Sequence, residues 1–176
     1  MSCSQTLSGI PYDCAANIGG IKRVLIANAD DVTAITITDG EITAITMAQH
    51  GTPPADATFV EFFFRAGTSN KTSTWQVNAE NGTAYVQTLL TMVFSRMETS
   101  KRAAIMALAQ AAVVAIVEDN NGKFWYLGED FPLTLNAGDG QTGTARADRN
   151  GYSITLEDNS RELPREVDDA IISGLL

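Results

Sequence analysis

Residues 68–128 read TSNKTSTWQVNAENGTAYVQTLLTMVFSRMETSKRAAIMALAQAAVVAIVEDNNGKFWYLG, and this stretch decides the fold. Two β-branched, aromatic-containing arms, 70–80 and 83–94, flank Asn81-Gly82, a pair suited to the positive φ angles of a two-residue hairpin turn. Each arm is about eleven residues, roughly twice the usual strand length. A helix is expected from Arg96 to Gln110, because Ser95 with Glu98 three residues later spells a capping box. Met97, Lys101, Ala104, Ile105 and Leu108 then recur near helical spacing. Residues 112–119 and 123–128 form a further hairpin around Asn120-Asn121-Gly122, with Trp125 and Tyr126 in its return strand.

Outward from this core the pattern remains β. Val24-Leu25-Ile26-Ala27 is a short aliphatic strand within residues 22–28. Residues 32–38 and 41–47 make a hairpin turned at Asp39-Gly40, which pairs Ile37 with Ile42 and Ile35 with Ala44 on one face. A strongly apolar strand covers 58–65, and another short run covers 131–136. Residues 137–151 are glycine-rich and read as a long, mobile loop before a last strand at 152–156. The expected organisation is an N-terminal arm over 1–21, one β domain over 22–165 and an acidic, partly apolar C-terminal segment over 166–176.

With 44% hydrophobic and 19% charged residues in a chain of 176, there is enough apolar material for a real core. The net charge of −9 argues against a protein that grips nucleic acid through its phosphates. It suits a surface to which DNA must not stick, and equally suits plain solubility. The start Met1-Ser2-Cys3-Ser4-Gln5 lacks a basic region followed by an apolar run, and no stretch approaches the roughly 18 apolar residues of a membrane span. A soluble protein made in the cytoplasm, without membrane contact, is expected.

The residues that do chemistry in enzymes do not converge. His50, the sole histidine, lies in a proline-bounded turn without a carboxylate or nucleophile near it in sequence. Cys3 and Cys14 could pair, but they lack metal-ligand spacing, so no metal is expected. The run from Gly138 to Gly143 resembles a phosphate cradle but lacks the lysine-containing pattern and a following helix. Asp119-Asn120-Asn121-Gly122 lacks the ligand spacing of a calcium loop. No catalytic residue and no cofactor are expected. The aromatic side chains mostly read as core, although Trp75, Trp125 and Tyr126 could stack a sugar in a carbohydrate-binding β-sandwich.

The first arm of the long hairpin is the anomaly. Asn70, Lys71, Thr72, Ser73 and Thr74 are too polar to be buried by the domain that carries them. Trp75 among them reads as an anchor in a subunit interface. Together with Asn78, Glu80, Asn81 and Tyr85 they are the candidate inter-subunit contact.

The order of long hairpin, helix and the strings 118–128, 140–145 and 148–156 resembles structural proteins of Bacteroidetes phages and prophages. More broadly, a mainly β sandwich or barrel with one flanking helix and a long protruding hairpin is similar to the tail-tube fold of long-tailed phages. The resemblance implies stacked, hexameric rings in which strands of neighbouring subunits form a continuous inner barrel that conducts DNA without binding it specifically. It implies a location in the virion tail, and partners that include other copies of the chain, a tape measure, a terminator and baseplate or tip proteins. Asp39, Glu41, Asp56 and Glu61 are then candidates for an acidic lumen. A head-to-tail connector or a head-decoration protein is the alternative within the same structural class.

Overall fold

The computed structural model describes residues 9–12, 14–51 and 55–176. In chain order it runs β1 (Ile21–Asn28), a short 3-10 turn (Ala29–Asp31), β2 (Val32–Thr38), β3 (Glu41–Met47), β4 (Gln49–His50), β5 (Ala55–Asp56) and β6 (Val60–Phe63). It continues with β7 (Asn70–Asn78), β8 (Thr83–Ser95), α1 (Thr99–Gln110), β9 (Val113–Asp119), β10 (Phe124–Leu127), β11 (Thr134–Gln141), β12 (Gly151–Ser160), β13 (Glu166–Val167) and α2 (Asp169–Ile172). The chain is mainly β, with one full-length helix at its flank.

The strands form a seven-stranded sheet in the order β2-β3-β13-β10-β9-β1-β6 and a four-stranded sheet in the order β11-β12-β8-β7. Strands β4 and β5 pair separately. The aliphatic run Val113 to Val117 makes β9 an interior strand of the larger sheet, buried on both faces. Val113, Ala115 and Val117 meet Leu90, Met92, Ile154 and Leu156 of the smaller sheet. Val114 and Ile116 point the other way, to Ile42, Tyr126, Val167 and Ile172. Alternation along one strand thus feeds two cores, and each fully buried aliphatic side chain contributes about 1.5–3 kcal/mol.

Residues 166–176 belong to this architecture. Strand β13 lies between β10 and β3, antiparallel to the first and parallel to the second. Asp168 caps α2 by accepting a hydrogen bond from Ala170 N at 2.9 Å, and Ile172 and Leu175 are buried.

The structure corrects the sequence expectations at several points. The β2–β3 hairpin turns at Asp39 (φ 53°) and Gly40 (φ 89°) as expected, and Ile37 pairs with Ile42. A bulge follows, so Ala44 opposes Thr36, and Ile35 opposes Ile45 instead of Ala44. The long hairpin closes through the four residues 79–82, not through Asn81-Gly82 alone, since Asn78 pairs with Thr83. The asparagines act through their side chains: Asn78 Oδ1 accepts from Glu80 N and Asn81 Oδ1 from Thr83 N. The apolar strand expected over 58–65 is limited to β6.

The helix starts three residues later than expected, because Ser95 is held in the β8–β12 ladder opposite Gly151. The capping box does not form. Glu98 takes the N-cap position without a side-chain cap bond, and Lys101 Nζ reaches back to Ser95 O at 2.7 Å. The expected loop over 137–151 is strand at its two ends only, and residues 142–150 between them form the connection. β11 extends to Gln141, β12 begins at Gly151, and Asp148 folds the turn between them by accepting from Thr144 N and Ala145 N.

Some of the glycines there serve close packing. A Cβ on Gly151 would stand 2.0 Å from Phe94 O, whereas one on Gly138 would meet only ordinary contacts at 3.6 Å. Gly151→Ala is therefore expected to lower stability by about 1–3 kcal/mol and Gly138→Ala to leave it within about 0.5 kcal/mol, as measured by urea unfolding.

Candidate assembly surface

The long hairpin forms one border of the smaller sheet. β7 pairs with β8 in unbroken register from Asn70↔Thr91 to Asn78↔Thr83 and has no strand on its other side among the described residues. Register sorts its side chains. Lys71, Ser73, Trp75 and Val77 lie opposite Leu90, Thr88, Val86 and Ala84, on the face turned toward the larger sheet. Asn70, Thr72, Thr74, Gln76 and Asn78 share the uncovered face with Thr91, Leu89, Gln87, Tyr85 and Thr83.

The root of the hairpin is anchored. Lys71 Nζ sits 4.5 Å from the centre of the Trp125 ring, and Trp125 Nε1 donates to Asp119 Oδ2 at 3.0 Å. Ser73 Oγ and Thr88 Oγ1 are 2.8 Å apart. The expectation that the polar arm lacks cover therefore fails at Lys71 and Ser73, which are partly buried. It holds farther out.

The tip overhangs. β12 accompanies β8 only as far as the Val86↔Ser160 pair, so residues 76–85 stand beyond it. Trp75 is 56% exposed, Val77 71% and Tyr85 41%. Glu80 and Asn81 lie in the exposed connecting loop.

The uncovered face carries a polar ladder. Gln76 Nε2 donates to Gln87 Oε1 at 3.1 Å, and Gln87 Nε2 donates to Glu157 Oε1 at 2.9 Å. Asn136 also donates to Glu157, and Thr91 meets Thr155 at 3.2 Å. The Gln87 and Asn159 amides hold the Glu157 carboxyl below the usual carboxylate range, so it stays ionised at neutral pH. Asp139, opposite Ser153, is the other carboxylate on this face and pairs with Arg149. Asp139 escaped sequence reading because residues 137–151 read as loop, and Glu157 because the last strand reads as ending at residue 156; the alternation of Ser153, Thr155 and Glu157 with Ile154 and Leu156 was the available signal.

The acidic residues picked out from sequence lie elsewhere. Asp39 and Glu41 are at the β2–β3 turn, Asp56 is in β5, and Glu61 of β6 pairs with Arg23. None is on the four-stranded sheet. His50 Nε2 is 2.7 Å from Asp31 Oδ1, an exposed pair with no nucleophile among its hydrogen-bond partners. Cys14 is exposed, while Cys3 lies outside the described residues. Among the described residues no group of His, Cys, Asp or Glu is placed to hold a metal, and no helix is long and apolar enough to cross a membrane.

Comparison of the chain with family models, with curated proteins and with solved structures finds no match.

Burial pushes Lys71 down from its ordinary 10.5 to about 8, with Asp119 opposing the shift. The unfolded chain therefore binds a proton that the folded chain has released, and this contribution makes stability rise between about pH 8 and 10.5. Lys71→Met is expected to remove that rise, worth about 2 kcal/mol in wild type after screening at its open side. Urea midpoints of both proteins across that range measure the difference.

Proposed function

We propose that this chain is a structural subunit of a phage tail tube, closing into hexameric rings that stack around a DNA channel. The observation that carries the reading is the four-stranded sheet, whose border strands β11 and β7 have no further strand partner among the described residues and whose outer face is largely polar. Its strands alternate in direction, so β11 and β7 run opposite ways. With an even number of strands, β7 of one copy pairs antiparallel with β11 of the next, and the pattern repeats without a break.

Size favours a hexamer. About 24 strands at about 4.8 Å spacing and about 40° tilt close into a barrel of radius about 24 Å, wide enough for a duplex. Half as many strands give about 12 Å, which side chains nearly fill. The uncovered face then lines the lumen. It presents Thr72, Thr74, Gln87 and Thr155 with the carboxylates Asp139 and Glu157; no strand residue on this face is Lys or Arg, and Arg149 of the β11–β12 connection pairs with Asp139, which leaves Glu157 as its unpaired carboxylate charge. Phosphates find acceptors and like charge there, so DNA slides and is not held. These two carboxylates replace Asp39, Glu41, Asp56 and Glu61 as the lumen candidates.

The overhanging tip supplies the stacking contact, with Trp75, Val77 and Tyr85 as its anchors. A tape measure inside the tube and a terminator and tip proteins at its ends are the partners this role calls for, within the virion tail. A sugar platform finds less support, because Tyr126 is buried and Trp125 lies beneath Lys71.

Negative-stain electron microscopy at rising protein concentration tests the proposal: rings or tubes about 100 Å wide are expected. Persistent monomers would sink it. Replacing residues 77–84 by Asn-Gly is expected to leave rings that no longer stack, and stacking that survives would remove the hairpin from the ring-to-ring contact.

A further inference from the structure

A second apolar surface lies on the opposite side of the subunit, at the border strand β6. Val60 and Phe62 pair with Ile26 and Val24, so their side chains share the face toward the inter-sheet core. Beside them runs α1, of which only Leu108 is buried. A groove of about 220 Å³ opens between the two, lined by Val60, Phe62, Ala104, Ala107, Leu108 and Ala111. The outer side of β6 has no strand partner among the described residues, and Val60 is 60% exposed. One charged side chain borders the groove, Asp31, already occupied by His50 and Asn28.

The N-terminal arm has the complementary chemistry. Ile10 is 97% exposed and Tyr12 91% exposed, and their i, i+2 spacing puts both on one face of an extended segment. Asp13 is the only charged side chain among the first twenty residues of a chain carrying −9. Copies that repel one another elsewhere can meet through two surfaces of low charge, one carboxylate in each, of which Asp31 is paired with His50.

The arm does not seat both side chains in the groove of its own subunit. It is fastened to the β9–β10 turn: Asn120 Nδ2 donates to Gly19 O at 2.7 Å, Ile18 N to Asn121 Oδ1 at 2.9 Å and Asn121 Nδ2 to Asn17 Oδ1 at 3.0 Å. That turn lies at the Ile21 end of β1, whereas the groove opens around Ile26 to Asn28. The separation is about 17–23 Å along the strand and about 14 Å sideways, because β9 and β10 flank β1 on the side away from β6. Five residues from Asn17 to Tyr12 span at most about 18 Å and seven to Ile10 about 25 Å, so Tyr12 falls short and Ile10 reaches only at full extension.

We infer that Ile10 and Tyr12 of one copy dock in the groove between α1 and β6 of a second copy, adding an extended segment to the free side of β6. Main-chain hydrogen bonds to β6 give the segment its direction, and the two apolar side chains fill the groove. Because arm and groove are different patches of the same chain, the contact is heterologous and propagates from copy to copy. The inference rests on the tube reading only in that copies assemble.

The i, i+2, i+4 spacing would put native Cys14 on the face of Ile10 and Tyr12 once the segment is extended, which provides the test. In a Cys3→Ser background, Thr58→Cys and Val60→Cys are introduced separately, and assembled protein is oxidised and run on a non-reducing gel. Covalent dimers and higher oligomers that disappear with Cys14→Ser are expected from at least one variant. Monomeric bands alone from both, including a fast-migrating internally linked monomer, would overturn the inference. As a second measurement, Ile10→Asp/Tyr12→Asp is expected to keep the circular dichroism spectrum of wild type and to weaken copy-to-copy association at least tenfold by sedimentation. Unchanged association would also overturn it. Rings or tubes that form without the cross-link defeat the arm contact alone, whereas cross-linked chains that never form a ring defeat the tube reading alone.

Discussion

The rest of the structure depends on the burial of β9 on both faces. A strand with one wet face alternates apolar and polar residues; Val113 to Val117 has no polar position, so both sides of the sheet have to be covered. The four-stranded sheet and Leu108 of α1 cover one side, and the β2–β3 hairpin with the C-terminal segment covers the other. The same strand then turns charged. Glu118, 4% exposed, accepts from Lys22 at 2.6 Å and from Arg23, and Arg23 also reaches Glu61 of β6. Burial alone would push the Glu118 carboxyl up, but the two cations outweigh it and keep it ionised. Asp119 next to it accepts from Trp125, Asn121 and Lys123, and so ties together the turn that holds the arm and the ring beneath Lys71. The root of the long hairpin and the fastening of the N-terminal arm thus both trace to the end of one strand.

The features legible in the sequence were those set by neighbours in the chain. Asp39-Gly40 and Asn121-Gly122 mark turns because few other residue pairs adopt the needed backbone angles, and both hairpins turn where read, although a bulge shifts the register of the first. The misreadings come from contacts distant in sequence. Ser95 and Glu98 have the right spacing for a capping box, but pairing Ser95 with Gly151 draws it into a strand, and no property of residues 95–98 reveals that. Glycines at 138, 140 and 151 read as loop because glycine weakens isolated strands. In the fold, Gly140 and Gly151 are where Tyr152 and Phe94 come too close for a side chain. The candidate assembly surface was legible in part: the polarity of 70–74 pointed to the hairpin, but which face each residue takes required the register.

The borders of the two sheets are not equally protected. A free strand border is an aggregation hazard, ordinarily blunted by shortness, bulges, proline or an outward lysine. β6 has four residues, and the β2–β3 ladder is broken by bulges. β7 has nine residues in unbroken register, no proline, and its one lysine is turned inward onto Trp125. A strand of that kind persists in a soluble chain when its pairing partner is specified. The opposite border of the same sheet, β11, runs in the matching direction and bulges only near its start, between Leu135 and Ala137. Pairing of these two borders removes both hazards in a single contact, and it does so only when the copies close into a ring, since any open row leaves one β7 and one β11 exposed. Closure is therefore a stability requirement of the proposed assembly as well as the source of its channel.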